Sequence, residues 1–82
     1  MEIVGVIIND TNSTPFATFR AKKEVSEKEF NELYSEWLKG YLKENGYTWN
    51  PFYFFTTTEK QLTKSEKRLR KIVIDNEKDS HK

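Results

Sequence analysis

The chain of 82 residues contains no cysteine, one histidine, three glycines and two prolines. Without cysteine it cannot form disulfides, thiolate zinc sites or iron–sulfur clusters, and it has no cysteine nucleophile. The histidine, His81, lies in a polar C-terminal stretch, and the scattered glycines form no phosphate-binding loop. The sequence therefore predicts a protein that is not an enzyme, with no catalytic, cofactor-binding or metal-binding residues.

Long apolar runs are also missing. No segment approaches the roughly 20 apolar residues that a membrane-spanning helix needs, and the first residues lack the basic and apolar regions of a signal peptide. We therefore expect a cytoplasmic protein with no membrane partner. The length fits one domain with a single core. We predict a domain over residues 1–75 and a flexible polar tail over 76–82.

Two strands are predicted near the N-terminus. Residues 2–8 are apolar and mostly β-branched at both alternating positions, a pattern typical of a strand that lies centrally in a sheet or is covered on both faces. A polar break at 9–15 follows, and residues 16–22 then alternate apolar with polar side chains, as in a half-buried strand. Together they predict a β-hairpin.

A long helix is predicted between residues 25 and 46. Ser26 and Glu29 have the spacing of a capping box, and Gly46 provides a left-handed end. The apolar residues between them recur at helical spacing without a gap. This stripe consists of Phe30, Leu33, Tyr34, Trp37, Leu38, Tyr41 and Leu42.

The helix is followed by an aromatic run: residues 47–55 contain six of the chain's twelve aromatic side chains. A strand is predicted from Phe52 to about Thr57. Neighbouring side chains of a strand point to opposite faces, so Tyr53 and Phe55 leave one face of the sheet while Phe52 and Phe54 leave the other. The sequence does not decide which pair faces the helix.

The last third of the chain gives mixed signals. Residues 59–66 contain capping patterns and predict a short helix or turn. The β-branched run at 72–74 predicts a final strand, with a C-terminal helix as the alternative. The predicted fold class is α+β: a small single-layer antiparallel sheet packed on one long amphipathic helix, in the order β-β-α-β-β.

Such a fold has more apolar side chains than one helix can bury, because a single helix covers only one face of a small sheet. The uncovered face would carry every second side chain of each strand, and the sequence does not decide which of the two alternating sets this is. An uncovered apolar face marks a surface for a partner or for self-association. One of the two sets includes Val4, Val6, Ile8, Tyr53 and Phe55.

Charge is unevenly distributed although the net charge is +1. Residues 24–36 contain five acids and one base, whereas residues 60–71 contain six bases and one acid. This pattern predicts a bipolar molecule. A basic stretch is ordinarily a solvated face, but it can also contact phosphates while neighbouring aromatic rings stack on bases.

From these features we predict a non-enzymatic binding or inhibitory module that docks on a larger intracellular protein or assembly. The alternative is a nucleic-acid-binding protein that uses the basic 60–71 segment beside the aromatic strand; a third is a homodimer-forming structural module. Aromatic and basic side chains are the usual anchors of such surfaces. The predicted partner-binding residues are Tyr47, Trp49, Tyr53, Phe55, Lys64, Lys67, Arg68, Arg70 and Lys71.

Overall fold

The computed structural model describes residues 2–76 and contains the predicted elements in the predicted order. The described part of the chain is an α+β fold. Of the predicted tail, only Asn76 is described; it is joined to Lys23 by two hydrogen bonds, of 2.7 and 2.8 Å. The elements are β1 (Ile3–Asn9), β2 (Thr14–Ala21), α1 (Glu27–Glu44), β3 (Phe52–Thr58), a 3₁₀ turn (Glu59–Gln61), α2 (Lys64–Lys67) and β4 (Arg70–Ile74).

The four strands form one sheet in the order β3-β1-β2-β4. Strand β1 is central and pairs antiparallel with both β2 and β3, as its doubly apolar pattern predicted. Strand β4 runs parallel to β2, so the sheet is mixed and not antiparallel throughout. Strands β3 and β4 do not pair with each other, because the connection between them crosses the width of the sheet and leaves them at opposite edges.

Helix α1 begins where the sequence predicts, since the Ser26 hydroxyl accepts a hydrogen bond of 3.2 Å from the Glu29 amide. Its end is followed by Gly46, which has a positive φ of 74°. No helix of residues 2–76 is long and apolar enough to cross a membrane. The apolar stripe of α1 packs against one side of the sheet, which we call the helix face. The buried residues of this core are Ile7, Ala17, Phe19, Ala21, Phe30, Tyr34, Leu38, Phe52 and Ile72.

The opposite side of the sheet, which we call the outer face, is covered in part by the connection between β3 and β4. Leu62 packs there on Val4 and Val6, and both valines are fully buried. Helix α2 packs on β2, where Thr18 is also fully buried. The four strands form a single sheet layer, as predicted, but the expectation of a bare second face is corrected, because the chain itself covers the middle of that face.

Helix α2 begins after Thr63 because a local capping box stabilises its first turn. The Thr63 hydroxyl accepts a hydrogen bond from the Glu66 amide, and the Glu66 carboxylate accepts one from the Thr63 amide, at 3.1 and 2.9 Å. This reciprocal capping box satisfies donors that a helix start leaves unpaired. The predicted short helix or turn is confirmed, and so is the final strand that follows it.

Candidate partner-binding surface

The structure decides which aromatic row of β3 faces the helix. Phe52 is buried beneath α1, and the ring of Phe54 stacks on Tyr34 with 3.7 Å between ring centroids and 7° between planes. Tyr53 and Phe55 therefore point to the outer face. Neighbouring side chains of a strand point to opposite faces, so Phe52 and Phe54 on the helix face require Tyr53 and Phe55 on the outer face.

Three neighbouring side chains form an apolar patch on the outer face: Ile8, Tyr53 and Phe55, which we call the outer patch. Tyr53 pairs with Ile8 across β1 and β3, and its ring centroid lies 6.2 Å from that of Phe55. Tyr53 is 55% exposed. Ile8 and Phe55 are half-buried because they lean on the Val4, Val6 and Leu62 cluster. The outer patch therefore adjoins the covered middle of this face.

The loop of residues 45–51 places the two predicted aromatic residues that precede β3 in different surroundings. The Tyr47 ring packs near Tyr41 and Phe52, at centroid distances of 6.4 and 5.8 Å. It thus belongs to the helix side, although it is 40% exposed. Trp49 is 61% exposed, the largest fraction among the exposed large apolar side chains of the described chain. Of these two, Trp49 is the side chain more accessible to a partner.

The start of β3 is held by two hydrogen bonds. The Asp10 amide donates to the Pro51 carbonyl at 2.7 Å, and the Phe52 amide donates to the Asn50 side chain at 2.9 Å. Asparagine commonly accepts from a backbone amide two residues ahead in this way. These bonds fix the register in which Tyr53 and Phe55 reach the outer face.

The predicted basic residues do not all share one face. Lys64 and Lys67 lie on α2, on the outer-face side, and both are exposed, as are Arg68 and Lys71. Arg70 instead shares the parity of Ile72, which is buried in the helix-face core. Its guanidinium carbon lies 5.9 Å from the centroid of the Phe16 ring. Arg70 is therefore separated from the outer patch by the sheet itself.

The basic segment is also not beside the aromatic strand. Strand β4 lies three strands from β3, which corresponds to about 14 Å at the usual spacing. Helix α2 lies over β2, two strands from β3, or about 10 Å. The cations of α2 thus lie nearer to β3 than those of β4 do, at a distance of two strands.

An ion pair on the outer face joins Arg20 and Glu59, two residues that no sequence pattern indicates. The Arg20 guanidinium donates to the Glu59 carboxylate. This hydrogen bond lowers the pKa of Glu59, and the positive charges of Arg20, Lys71 and Lys67 lower it further. Two other guanidinium nitrogens of Arg20, Nε and Nη2, are buried without a hydrogen-bond partner in the described residues. The pair thus ties β2 to the connection that covers this face.

The acidic residues of α1 and the basic residues of α2 lie on opposite sides of the sheet. Helix α1 covers the helix face and exposes Glu29, Glu32 and Glu36 to solvent, whereas α2 covers part of the outer face with Lys64 and Lys67. The outer patch and these two cations therefore lie on the side of the sheet away from the acidic helix surface.

Chemistry-bearing groups are sparse in the described part of the chain. Within residues 2–76, no group of three or more acidic, histidine or cysteine side chains is placed to hold a metal ion. The Tyr34 hydroxyl is buried and lacks a hydrogen-bond partner among these residues. Burial raises the pKa of Tyr34 to about 12, so the hydroxyl stays protonated at neutral pH.

Comparisons of this chain with protein families, with curated proteins and with solved structures find no match. The function has to be inferred from the chemistry of the outer face.

Proposed function

We propose that this protein is a non-enzymatic binding or inhibitory module that docks on a larger intracellular protein or assembly through the outer patch. One observation carries the proposal. The chain covers Val4 and Val6 with its own Leu62 but leaves Tyr53 more than half exposed beside Phe55. A continuous apolar patch with a charged border is the usual form of a protein-binding surface.

The side chains of this surface suit the role of anchors. Tyrosine and tryptophan carry large contact areas and few rotatable bonds, and they are enriched among the residues that dominate binding energy. Tyr53 lies within the patch, and Trp49 precedes β3 in the adjoining loop. Lys64 and Lys67 are exposed on the same side of the sheet, so we expect the partner to combine an apolar contact surface with acidic groups.

The proposal is tested by affinity capture from a lysate of the native cell with three forms of the protein: wild type, Tyr53→Ala and Val73→Ala. Val73 is a matched control because it is 54% exposed on the outer face but lies on the opposite edge strand. We expect wild type and Val73→Ala to recover the same protein. Tyr53→Ala should recover it at least about tenfold less well, as is typical of an anchor residue. Equal recovery by Tyr53→Ala would rule out the outer patch as the docking surface.

A second candidate function is nucleic-acid binding, which the position of α2 supports. Lys64 and Lys67 lie on the same face as the exposed ring of Tyr53, and single-strand binders combine cations with stacking rings in this way. Binding of this kind weakens steeply as salt rises, because phosphate contacts release counterions. A fluorescent single-stranded oligonucleotide titrated at two salt concentrations tests it. Absence of binding at low salt, or binding that Lys67→Glu leaves unchanged, contradicts this candidate.

A further inference from the structure

Strand β3 has an open edge. In the described residues its one neighbour is β1, and its seven residues, Phe-Tyr-Phe-Phe-Thr-Thr-Thr, contain neither charge nor proline. Edge strands of monomeric proteins are usually guarded by charges, prolines or bulges, because an unpaired row of amides and carbonyls invites another strand. The opposite edge, β4, begins with Arg70 and Lys71. The two edges of this sheet are therefore unequal, and β3 is the unguarded one.

The register of β1 and β3 shows which backbone groups point outward. The Asp10 amide donates to the Pro51 carbonyl directly opposite it, so this is a hydrogen-bonded pair of the antiparallel ladder. Such pairs alternate along the ladder. Following the register, Tyr53, Phe55 and Thr57 bond to β1. The backbone groups of the residues between them therefore point away from β1, to the open edge.

Two residues at the middle of the open edge thus carry unpaired backbone groups. The outward amide of Phe52 is already occupied by the Asn50 side chain, which agrees with the alternation. The amides and carbonyls of Phe54 and Thr56 have no partner in the described residues. These two residues lie symmetrically on either side of Phe55, the midpoint of β3.

We infer that the open edge of β3 pairs antiparallel with β3 of a second copy of this chain, about a two-fold axis at Phe55. In this register each Phe54 exchanges both backbone hydrogen bonds with Thr56 of the other copy, and the full length of the strand is used. An interface of this kind is isologous, as in most homodimers. It joins two four-stranded sheets by the strand addition seen in many peptide complexes.

The side chains of β3 are self-complementary in this register. Its first half is aromatic and its second half consists of threonines, so antiparallel pairing places aromatic side chains of one copy beside threonine side chains of the other. Tyr53 faces Thr57 of the other copy on the outer face, and Phe54 faces Thr56 on the helix face. Phe55 alone lies opposite the same residue of the other copy, on the two-fold axis. Aromatic and threonine cross-strand neighbours are favourable in sheets.

Charge also suits a second copy. No charged residue of β3 opposes another, because the strand has none. Just beyond the strand, Glu59 and Lys60 would lie opposite Pro51 and Asn50 of the other copy, so no like charges within residues 50–60 oppose each other. The pairing would also set the two outer patches side by side. The dimer does not depend on the docking proposed above, since it uses backbone groups of the edge and not a partner on the face.

Cysteine pairs test the register directly, because the natural chain has no cysteine. Residues opposite each other at a non-hydrogen-bonded position have Cα atoms about 4.5 Å apart, within the range for a disulfide. We expect Phe55→Cys to form a covalent dimer on mild oxidation. A mixture of Tyr53→Cys and Thr57→Cys should cross-link, whereas each of these two alone should not. Val73→Cys, on the other edge, is the control and should remain monomeric.

The oligomeric state completes the test. Sedimentation of the wild type at micromolar concentrations should give twice the chain mass of 9.8 kDa. Thr56→Pro should give the monomer mass with an unchanged circular dichroism spectrum, because it removes an outward amide and no bond to β1. A monomeric wild type across the concentration range overturns the inference. So does a Tyr53→Cys and Thr57→Cys mixture that cross-links no faster than the Val73→Cys control.

Discussion

The ring of Phe54 occupies the space in which a side chain at Gly5 would lie. A Cβ atom at residue 5 would overlap the Cε1 and Cζ atoms of that ring and come within 3.3 Å of Phe30. Gly5 is therefore the residue that lets the Phe54 ring lie across β1 and stack on Tyr34. This contact fixes which row of β3 enters the core, and so which row is left for the outer face.

Gly5→Ala should destabilise the protein by about 1–3 kcal/mol, the usual cost of overpacking a core. Gly40→Ala is the matched control, since Gly40 lies in α1 with open space around it and alanine favours a helix by about 1 kcal/mol over glycine. Urea denaturation of both variants measures the difference. A Gly5→Ala protein as stable as the wild type would show that Phe54 does not pack as described.

The face assignment itself predicts unequal costs for neighbouring residues of β3. Phe54→Ala should cost about 2–4 kcal/mol, because it removes a ring from the core. Tyr53→Ala should cost less than about 1 kcal/mol, because Tyr53 is 55% exposed. Thermal or urea unfolding of the two variants compares them. If Tyr53→Ala were the more destabilising, the two faces of β3 would have been exchanged.

The sequence predicted the elements better than their arrangement, and particular residues show why. The cap at Ser26 and the stripe of α1 are local signals, so the helix was predicted within a few residues. The β-branched run at Ile72 likewise predicted the last strand. The pairing of β4 with β2 is not local: nothing in the strand's own pattern says which edge it joins. The edge that β4 joins depends on the path of the connection between β3 and β4, which carries Leu62.

The candidate surface shows the same limit. Both rows of β3 are apolar, so periodicity could not decide whether Tyr53 or Phe54 faces the helix. The decision depends on the gap at Gly5 in a different strand. Of the predicted basic residues, Arg70 lies on the helix face because it is two residues from Ile72 in the same strand. Its face could be predicted only after Ile72 had been assigned to the helix-face core. The contact between Arg20 and Glu59 joins residues far apart in sequence, and no spacing rule links them.

The buried hydroxyl of Tyr34 leads to a prediction at neutral pH. Because it has no hydrogen-bond partner in the described residues, Tyr34→Phe removes an unsatisfied polar group and keeps the ring. We expect the variant to be as stable as the wild type or more stable by about 1 kcal/mol. Urea denaturation at pH 7 measures this. A loss of more than about 1 kcal/mol would mean that the hydroxyl has a partner after all.

Tyr34 should also affect how the free energy of unfolding changes at alkaline pH. Its pKa is raised by burial from 10.0 to about 12, so the unfolded state loses this proton first as pH rises. Folding stability is thus unaffected below about pH 10 and falls as pH rises from 10 towards 12. Tyr34→Phe should remove that part of the decrease. Identical alkaline curves for both proteins would contradict the assignment.

The Arg20 and Glu59 pair predicts an effect in acid. The pKa of Glu59 is lowered in the fold, so its contribution is present above the unfolded pKa near 4.5 and is lost as pH falls through the lower folded value. Glu59→Gln should cost about 1 kcal/mol at pH 7, since the carboxylate is partly exposed, and should flatten the acid limb. Glu32→Gln, an exposed carboxylate on α1, is the control and should behave as the wild type. Equal acid limbs for Glu59→Gln and wild type would show that this pair is not formed.

We propose that the partner binds the face that carries Tyr53, opposite α1. Photo-crosslinking in the native cell locates this contact, with a benzophenone amino acid at position 53 in one variant and at position 35, in place of the exposed Ser35 of α1, in another. We expect position 53 to give a discrete adduct with a different protein, at a mass other than twice the 9.8 kDa of the chain, and position 35 to give none. An adduct of twice the chain mass reports the pairing of β3 and not the docking. Adducts with a different protein from position 35 and none from position 53 would place the contact on the helix side and contradict the proposed docking surface.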